Sequence, residues 1–349
     1  MSSTQTPEKA SNFTSKDLVS DQDIRWCPGC GDYSILKQVQ KVLPELGLRK
    51  ENIVFVSGIG CSSRFPYYMN TYGMHSIHGR AASIATGLKV SRPELSVWVV
   101  TGDGDSLSIG GNHFIHTLRK NPNLNILLFN NEIYGLTKGQ FSPTSPEGKV
   151  TKSSPMGSVE HPFNPLALAL GANATFVARS MDRDPKHLQS MIRRSAEHVG
   201  TSLLEVYQNC NVFNDGAFHA YTDRATKNDH ALFLEHGQPL LFGPENRKGI
   251  RLRDGCHPRI VDLEKEGLSA ADLWIHDEHD SLKAGLLARL SENTSSEDDV
   301  FPKAFGVFYA TERHCLETAV QEQIKTARER MGGGDLDALI RGDHVWEIK

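Results

Sequence analysis

The sequence predicts an α/β fold, a parallel sheet with helices on both faces, followed by a C-terminal extension. Between residues 24 and 214, short apolar runs alternate with helical segments. The runs are continuous rather than alternating, which is typical of strands buried on both faces. Glycine-rich or polar segments follow several runs, as in open sheets that bind ligands beyond the carboxyl ends of their strands.

The expected elements follow from these runs in chain order. Strands are expected at 53–56, 97–100, 124–129, 175–178 and 203–207. Helices are expected at 33–43, 81–90, 111–120 and 185–198, with a further one at 320–331. Residues 1–20 are expected to form a flexible arm, residues 21–215 the α/β domain and residues 216–349 the extension.

Composition excludes some classes of protein. The chain has 349 residues, 38% of them hydrophobic, which is enough for a sizeable core. A formal charge of −4, without a basic run, argues against nucleic acid as a partner. No segment resembles a signal peptide or the roughly 20 apolar residues of a membrane helix. We therefore expect a cytoplasmic protein, in which the six cysteines do not form structural disulfides.

The first candidate site is Gly102-Asp103-Gly104 followed by Asn130-Asn131, each motif directly after an apolar run. Carboxylate and amide oxygens are ligands that suit Mg²⁺, which commonly bridges to phosphate oxygens. Glycines in the first motif and at 110 and 111 would let the backbone approach a diphosphate, and a helix starting near Gly111 could offer N–H groups. Each motif alone is a common turn, but the pair at this spacing is less common.

This spacing resembles the thiamine-diphosphate signature, in which GDG opens and NN closes a segment of similar length. By that resemblance, Asp103 and Asn131 would bind Mg²⁺ through their side chains and Ile133 through its backbone carbonyl. The glycines of the first motif would contact the diphosphate. Asp105 is either a support for the metal ligands or an ordinary turn residue.

The second candidate site contains Cys27-Pro28-Gly29-Cys30, with further cysteines at 61 and 210 after expected strands. Such a pair suits zinc, an iron–sulfur cluster or a redox disulfide. Zinc ribbons usually repeat the pair, and a thioredoxin-like pair follows a strand; neither feature is present here. A four-thiolate site would leave two cysteines, and we expect Cys256 and Cys315 to be ordinary buried thiols.

Five motifs together resemble the β subunit of 2-oxoacid:ferredoxin oxidoreductases and occur in that family's order. They are WCPGCG at 26–31, GIGCS at 58–62, HGRA at 78–81, GDGD at 102–105 and NxxYGLTxGQ at 131–140. The resemblance covers about residues 24–245, and the rest resembles, more loosely, longer bacterial forms that act on 2-oxoglutarate. It implies a thiamine-diphosphate-binding fold and a [4Fe-4S] cluster held by Cys27, Cys30, Cys61 and Cys210.

The resemblance also implies which residues contact the cofactor. The cofactor-binding set is Ile59, Gly60, Cys61, Ser62, His78, Gly102, Asp103, Gly104, Asp105, Asn131, Ile133, Gly135 and Leu136. His78 is also a candidate catalytic residue, although it could simply cap the next helix. Arg64 and Lys138 are candidates for attracting a substrate carboxylate, with a solvated surface charge as the alternative.

The implied reaction is oxidative decarboxylation of a 2-oxoacid, with 2-oxoglutarate favoured, to acyl-coenzyme A and CO₂, with electrons passing through the cluster to ferredoxin. The implied partner is an α subunit that supplies the pyrimidine side of the cofactor site, in a heterodimer or a dimer of heterodimers. A non-oxidative thiamine-diphosphate decarboxylase or synthase subunit is one alternative, which leaves the cysteines without a role. A zinc-stabilised α/β binding module is another, which leaves the GDG and NN motifs as turns.

Overall fold

A computed structural model describes residues 13–292, 300–346 and 348, so most of the expected N-terminal arm lies outside the described residues. The strands in chain order are β1 (Ile53–Ser57), β2 (Tyr72–His75), β3 (Ser96–Gly102), β4 (Leu124–Asn130), β5 (Phe176–Met181), β6 (Ser202–Tyr207), β7 (Ala231–Phe233), β8 (Leu241–Phe242), β9 (Lys248–Arg253), β10 (His257–Asp262) and β11 (Lys303–Ala310). The helices are α1 (Asp32–Val42), α2 (Ala81–Ser91), α3 (Asp103–Leu107), α4 (Gly111–Lys120), α5 (Pro165–Gly171), α6 (Pro185–Glu197), α7 (His219–Thr222), α8 (Lys227–His230), α9 (Leu263–Glu266), α10 (Ser281–Ala288), α11 (Leu316–Met331) and α12 (Leu336–Arg341).

Eight of these strands form one sheet in the order β2-β1-β3-β4-β6-β5-β11-β7. The pairs from β2 to β5 are all parallel, whereas β11 is antiparallel to β5. The predicted α/β fold is thus confirmed, and all five expected strands are present. The segment beyond residue 215 contributes β7 and β11 to this sheet and forms a small antiparallel sheet, β10-β9-β8.

Hydrophobic cores cover both faces of the large sheet, because neighbouring residues of each strand point to opposite sides. On one face, Phe55, Trp98 and Phe129 pack with the apolar residues of α1 and α6. On the other face, Val54 and Ile126 pack with residues of α2, α4 and α5. This arrangement explains why the central strands are continuous apolar runs in the sequence.

The order of strands determines where the polar segments meet. The strands β1, β3, β4 and β6 are neighbours in the sheet and run in the same direction. The segments that follow them therefore emerge at one edge; they carry the GDG and NN motifs, Cys61 and Cys210, whereas Cys27 and Cys30 come before α1. No described helix combines the length and apolarity needed to cross a bilayer.

Candidate functional site

A cavity of about 220 Å³ opens at the carboxyl edge of the sheet. Segments that follow β1, β3 and β4 form most of its wall, and every residue of the expected cofactor-binding set lines it. The wall also includes residues that the sequence reasoning missed, namely Ser108, Ile109, Phe129, Tyr134 and Thr137. The fold thus brings together residues from four separate motifs.

Asp103 begins α3 and is almost completely buried at the wall of the cavity. Its Oδ2 accepts hydrogen bonds from Ser142 Oγ and Thr144 Oγ1, both at 2.6 Å. Burial raises the pKa of this carboxyl group, and the two hydroxyl donors act in the opposite direction. A cation in the cavity would offset the cost of burying the charged form, so this carboxylate suits a metal ligand.

The two adjacent asparagines have different surroundings. Asn130 is buried at the end of β4, where its Nδ2 donates to Glu205 Oε1 at 2.8 Å. Asn131 lines the cavity; its Nδ2 donates to Gln208 Oε1 at 2.9 Å, and its Oδ1 accepts from the Ile133 N–H at 3.1 Å. An amide oxygen can accept two bonds, so Asn131 Oδ1 has capacity left for a cation.

Asp105 joins three of the segments that surround the cavity. Its Oδ1 accepts hydrogen bonds from the N–H groups of Ile59 at 3.1 Å and Gly79 at 2.7 Å. Its Oδ2 accepts from Thr101 Oγ1 at 2.9 Å. A Cβ placed on Gly58 would lie 1.8 Å from the same oxygen, so this close approach requires glycine. These bonds make Asp105 a residue that positions the cavity wall.

Glycines near the cavity allow other residues to pack closely against the backbone, and not all of these glycines line the cavity. The Tyr134 hydroxyl donates to the Gly104 carbonyl at 3.2 Å, and a Cβ on Gly104 would lie 2.1 Å from the Tyr134 ring. Gly110 packs against Gly79, and neither Gly110 nor Gly111 lines the cavity. The start of α3 and the turn that follows it therefore line the cavity, and the start of α4 lies behind them, so the expected contact between α4 and a diphosphate stays a prediction.

The structure places the expected ligand cysteines beside the cavity. A Cβ on Gly135 would lie 3.4 Å from Cys61 Sγ and 3.7 Å from Cys210 Sγ. The charges of Cys61 and Cys210 both act on the Cys30 thiol, and Cys27, which is exposed, acts on Cys61. The four thiols are therefore near enough to influence one another, an arrangement that suits a four-thiolate site.

Burial also shapes the chemistry of this group. It raises the pKa of Cys30 well above its usual range and that of Cys61 to about 12. Such thiols stay protonated at neutral pH unless positive charge is supplied, as by the iron of a cluster. Thiolate donors from four cysteines are the usual ligands of a [4Fe-4S] cluster, so the donor set fits that group.

Gln208 connects the two sites. Its Oε1 accepts from Asn131 Nδ2, and its Nε2 lies 3.3 Å from Cys30 Sγ. One side chain therefore contacts a proposed metal ligand of the cavity and a proposed cluster ligand. The sequence reasoning missed Gln208, and its position just beyond β6 was the available signal.

The two remaining cysteines differ from each other. Cys315 is buried before α11, as expected. Cys256 is exposed between β9 and β10, so the expectation that it is buried is wrong. It falls in a turn of the small sheet, where no core covers it.

The three cationic candidates occupy different places. His78 lines the cavity. Arg64 instead lines a second cleft with Arg25, Tyr67 and His75, and its charge acts on Cys61. Lys138, with a φ of 84°, lies in the turn between residues 134 and 140 and is not part of the cavity wall.

A buried charged network lies next to the cavity and was also missed. Arg179 Nε donates to Glu205 Oε2 at 2.6 Å, and both side chains are buried. Burial, together with the charge of Asp103, raises the pKa of Glu132 to about 7. Glu205 and Arg179 interrupt apolar strand runs, which is the signal that could have revealed them.

Comparisons with known proteins identify similar sequences and a similar structure. Residues 58–206 match the family described as "Thiamine pyrophosphate enzyme, C-terminal TPP binding domain". The chain is 49% identical over 337 residues to the 2-oxoglutarate oxidoreductase subunit KorB of Mycobacterium tuberculosis, across 95% of this chain and 88% of that subunit. It is 46% identical over 192 residues to a 2-oxoacid:ferredoxin oxidoreductase subunit beta from a Sulfolobus species, across 54% of this chain and 63% of that relative.

A solved structure is similar across the whole fold. It is a 2-oxoglutarate:ferredoxin oxidoreductase from Magnetococcus marinus with 2-oxoglutarate, coenzyme A and succinyl-CoA bound. The TM-score is 0.73 and the sequence identity 34%, with 95% of this chain and 96% of that chain covered. The similarity therefore extends beyond the cofactor domain into the C-terminal segment.

Proposed function

Because the chain belongs to the β subunits of 2-oxoacid:ferredoxin oxidoreductases, we propose that, with an α subunit, it converts 2-oxoglutarate and coenzyme A to succinyl-coenzyme A and CO₂. Two electrons per turnover pass to ferredoxin. Support for 2-oxoglutarate comes from the relative that matches most of the chain and from the ligands of the similar structure. We also propose that the protein works in the cytoplasm.

One observation carries the oxidative part of this proposal: the cavity and the cysteine group share residues. Cys61 belongs to both, Gly135 in the cavity wall lies beside both Cys61 and Cys210, and Gln208 contacts both Asn131 and Cys30. A non-oxidative enzyme would not need a cysteine group beside its cofactor cavity, because it passes no electrons to a cluster. A zinc-stabilised binding module would not need the cavity.

The residues that would hold the cofactors follow from the same geometry. We propose that Asp103, Asn131 and the Ile133 carbonyl bind Mg²⁺, and that Gly102 and Gly104 contact the diphosphate of thiamine diphosphate. Cys27, Cys30, Cys61 and Cys210 hold a [4Fe-4S] cluster. Bound there, thiamine diphosphate supplies an electron sink for the carbon that loses CO₂, and the cluster supplies a one-electron acceptor.

The chain's own side chains position and shield the reacting groups. Asp105 fixes the turn at Ile59, which belongs to the cavity wall, and Tyr134 covers Gly104. We propose that His78, at the cavity wall, contacts the substrate carboxylate or handles a proton. Arg64 and Lys138 lie outside the wall, so we propose that they attract the anionic substrate at longer range.

The test of this function is a comparison of substrates with the complete enzyme. The chain is co-expressed with its α subunit under anaerobic conditions, and ferredoxin reduction is followed with coenzyme A present. We expect a specificity constant for 2-oxoglutarate at least about tenfold above that for pyruvate, since a second carboxylate adds polar contacts. A preference for pyruvate would reject the substrate assignment. Decarboxylation without ferredoxin reduction would reject the oxidative reaction.

A further inference from the structure

Three side chains with metal-binding groups meet in the C-terminal part of the chain. One potential ligand atom from each of His236, Glu278 and His279 lies within 4.8 Å of the other two. We propose that these residues form a site for a divalent transition-metal ion, with Zn²⁺ as the best match. Two imidazoles and a carboxylate are a common zinc donor set.

The site lies at the opposite edge of the sheet from the cofactor cavity. His279 contacts Ala310, the last residue of β11, which pairs with Phe176 at the start of β5. The cysteine group follows the other end of the same strands, after β6 has run parallel to β5. The ion therefore has no part in the proposed redox reaction.

Local hydrogen bonds prepare His279 for metal binding. Its Nδ1 lies 2.8 Å from the Ala310 carbonyl oxygen, which can only accept, so Nδ1 carries the proton. This tautomer leaves the lone pair of Nε2 free. A backbone carbonyl that fixes the tautomer in this way is the usual support of a zinc-bound histidine.

Glu278 and His236 complete the donor set. Arg194 Nη2 binds Glu278 Oε1 at 2.9 Å, and the Glu278 side chain is only 12% exposed, so the carboxylate is held in place while its second oxygen can face an ion. His236 Nδ1 accepts a long hydrogen bond of 3.3 Å from the Glu278 N–H. Because this bond is weak, turning the ring towards an ion would cost little free energy. Asp277 Oδ1, 3.8 Å from His236 Nδ1, or a water molecule can supply a fourth ligand.

The position indicates a structural role. His236 follows β7, which pairs with the start of β11, whereas Glu278 and His279 precede α10 and lie against the end of β11. An ion bound there would join the loops of the C-terminal segment to the central sheet. Because an ion that binds only the folded chain stabilises it by mass action, zinc should raise the melting temperature.

The experiment uses the complete complex with its cluster intact. After treatment with a mild chelator, Zn²⁺ is titrated by calorimetry, and bound zinc is counted by elemental analysis. We expect about one zinc ion per chain and a melting temperature higher by a few degrees. The double variant H236A/H279A should lose at least about 100-fold in zinc affinity. The control H257A/H314A changes two exposed histidines elsewhere and should bind zinc normally.

X-ray absorption at the zinc edge gives a second readout on the unmodified chain. It identifies the atoms that bind zinc, so the proposal can be tested even if the double variant fails to fold. The proposal predicts only nitrogen and oxygen neighbours at about 2.0–2.2 Å. Sulfur at about 2.3 Å would place the zinc on the cluster cysteines and overturn the proposal. Equal zinc binding by the unmodified chain and H236A/H279A would also overturn it. Neither result depends on catalytic activity.

Discussion

Asp103 shows how one residue connects folding with cofactor binding. Its carboxylate is buried, yet it faces a cavity and is held by Ser142 and Thr144. Asp103→Asn keeps an oxygen for these hydroxyl groups but removes the charge that would bind Mg²⁺. We expect thiamine diphosphate affinity to fall at least about 100-fold, measured by calorimetry with Mg²⁺ present.

The control for this prediction is Asp337→Asn, at an exposed site in α12, which should bind the cofactor normally. Unfolding in denaturant should show a change of about 1 kcal/mol or less for Asp103→Asn, because the hydroxyl donors keep their acceptor. Unchanged cofactor affinity in Asp103→Asn would reject the metal-ligand assignment.

Cys210 distinguishes a cluster ligand from an ordinary thiol. It lies next to Gly135, across from Cys61, and we expect Cys210→Ala to lose or damage the cluster. Iron and acid-labile sulfide are measured after anaerobic purification, together with the visible absorbance. Cys256→Ala is the matched control and should retain the cluster, because that cysteine lies between β9 and β10. Full iron content in Cys210→Ala would contradict the ligand set.

At the level of elements, the turn after β1 depends on a close contact. Gly58 lies against Asp105, and a Cβ there would come within 1.8 Å of Asp105 Oδ2. Gly58→Ala should therefore displace Asp105 from the Ile59 and Gly79 N–H groups and destabilise the fold by about 2–4 kcal/mol. Denaturant unfolding measures this loss, and cofactor affinity should fall with it.

Gly87, in the middle of α2, is the control for that substitution. An added Cβ there meets no atom within 4 Å, so Gly87→Ala should be neutral or should stabilise the chain by up to about 1 kcal/mol. Equal stability of the two variants would show that the contact between Gly58 and Asp105 is unimportant.

Helix α6 gives the fold a dependence on pH. Burial lowers the pKa of His187 to about 4, and its Nδ1 lies 2.8 Å from Ser180 Oγ. The unfolded chain, with a histidine pKa near 6.5, binds more protons between pH 6.5 and pH 4. Stability should therefore fall as the pH drops through that interval.

His187→Gln removes this titrating group and should reduce the loss of stability by about 2 kcal/mol. This figure is below what the full pKa difference would give, because the side chain is partly exposed and solvent screens its charge. The measurement compares the free energy of unfolding at pH 7 and at pH 4.5 in the variant and in the unmodified chain. His257→Gln, at an exposed site, should leave the difference unchanged. An identical acid loss in His187→Gln would show that another group is responsible.

The sequence predicts an element well when a single physical requirement shapes it. Strands such as β4 are buried along their whole length and must be apolar throughout, so they were easy to locate. The edge strand β2 is mostly exposed and contains glycine, so no apolar run marks it. Strand β11 pairs with β5 across more than a hundred residues of sequence, and only tertiary structure shows that pairing.

The candidate site shows the same contrast between features marked in the local sequence and features that only the tertiary structure reveals. Residues in motifs were identified because their chemical types and spacing carry information. Gln208 and the hydrogen bonds of Asp105 were not predicted, because these bonds join residues 46 and 77 positions apart and exist only once the strands are ordered. Sequence reasoning therefore located most residues of the cavity, Asp105 among them, but not the hydrogen bonds that connect its walls.

At the scale of the whole molecule, exposed apolar side chains surround the mouth of the cavity. Ile77, next to the cavity residue His78, and Ile109, in the cavity wall, are 67% and 58% exposed, and Leu136 in the same wall is 42% exposed. Large apolar side chains around an open site are typical of a surface that a partner covers. Within the described residues, the other sheet has three short strands and offers no second cofactor domain.

We therefore expect the chain to be inactive alone, because the carboxylate that binds the aminopyrimidine ring of thiamine diphosphate should come from the α subunit. The assay uses the chain with reconstituted cluster, Mg²⁺ and thiamine diphosphate, and follows reduction of an artificial acceptor by 2-oxoglutarate with coenzyme A. Activity should appear only when the α subunit is added. Ile109→Asp should weaken this assembly at least about tenfold, since it places a charge in an apolar contact, whereas Leu282→Asp on α10 should not. Turnover by the chain alone would reject the shared site.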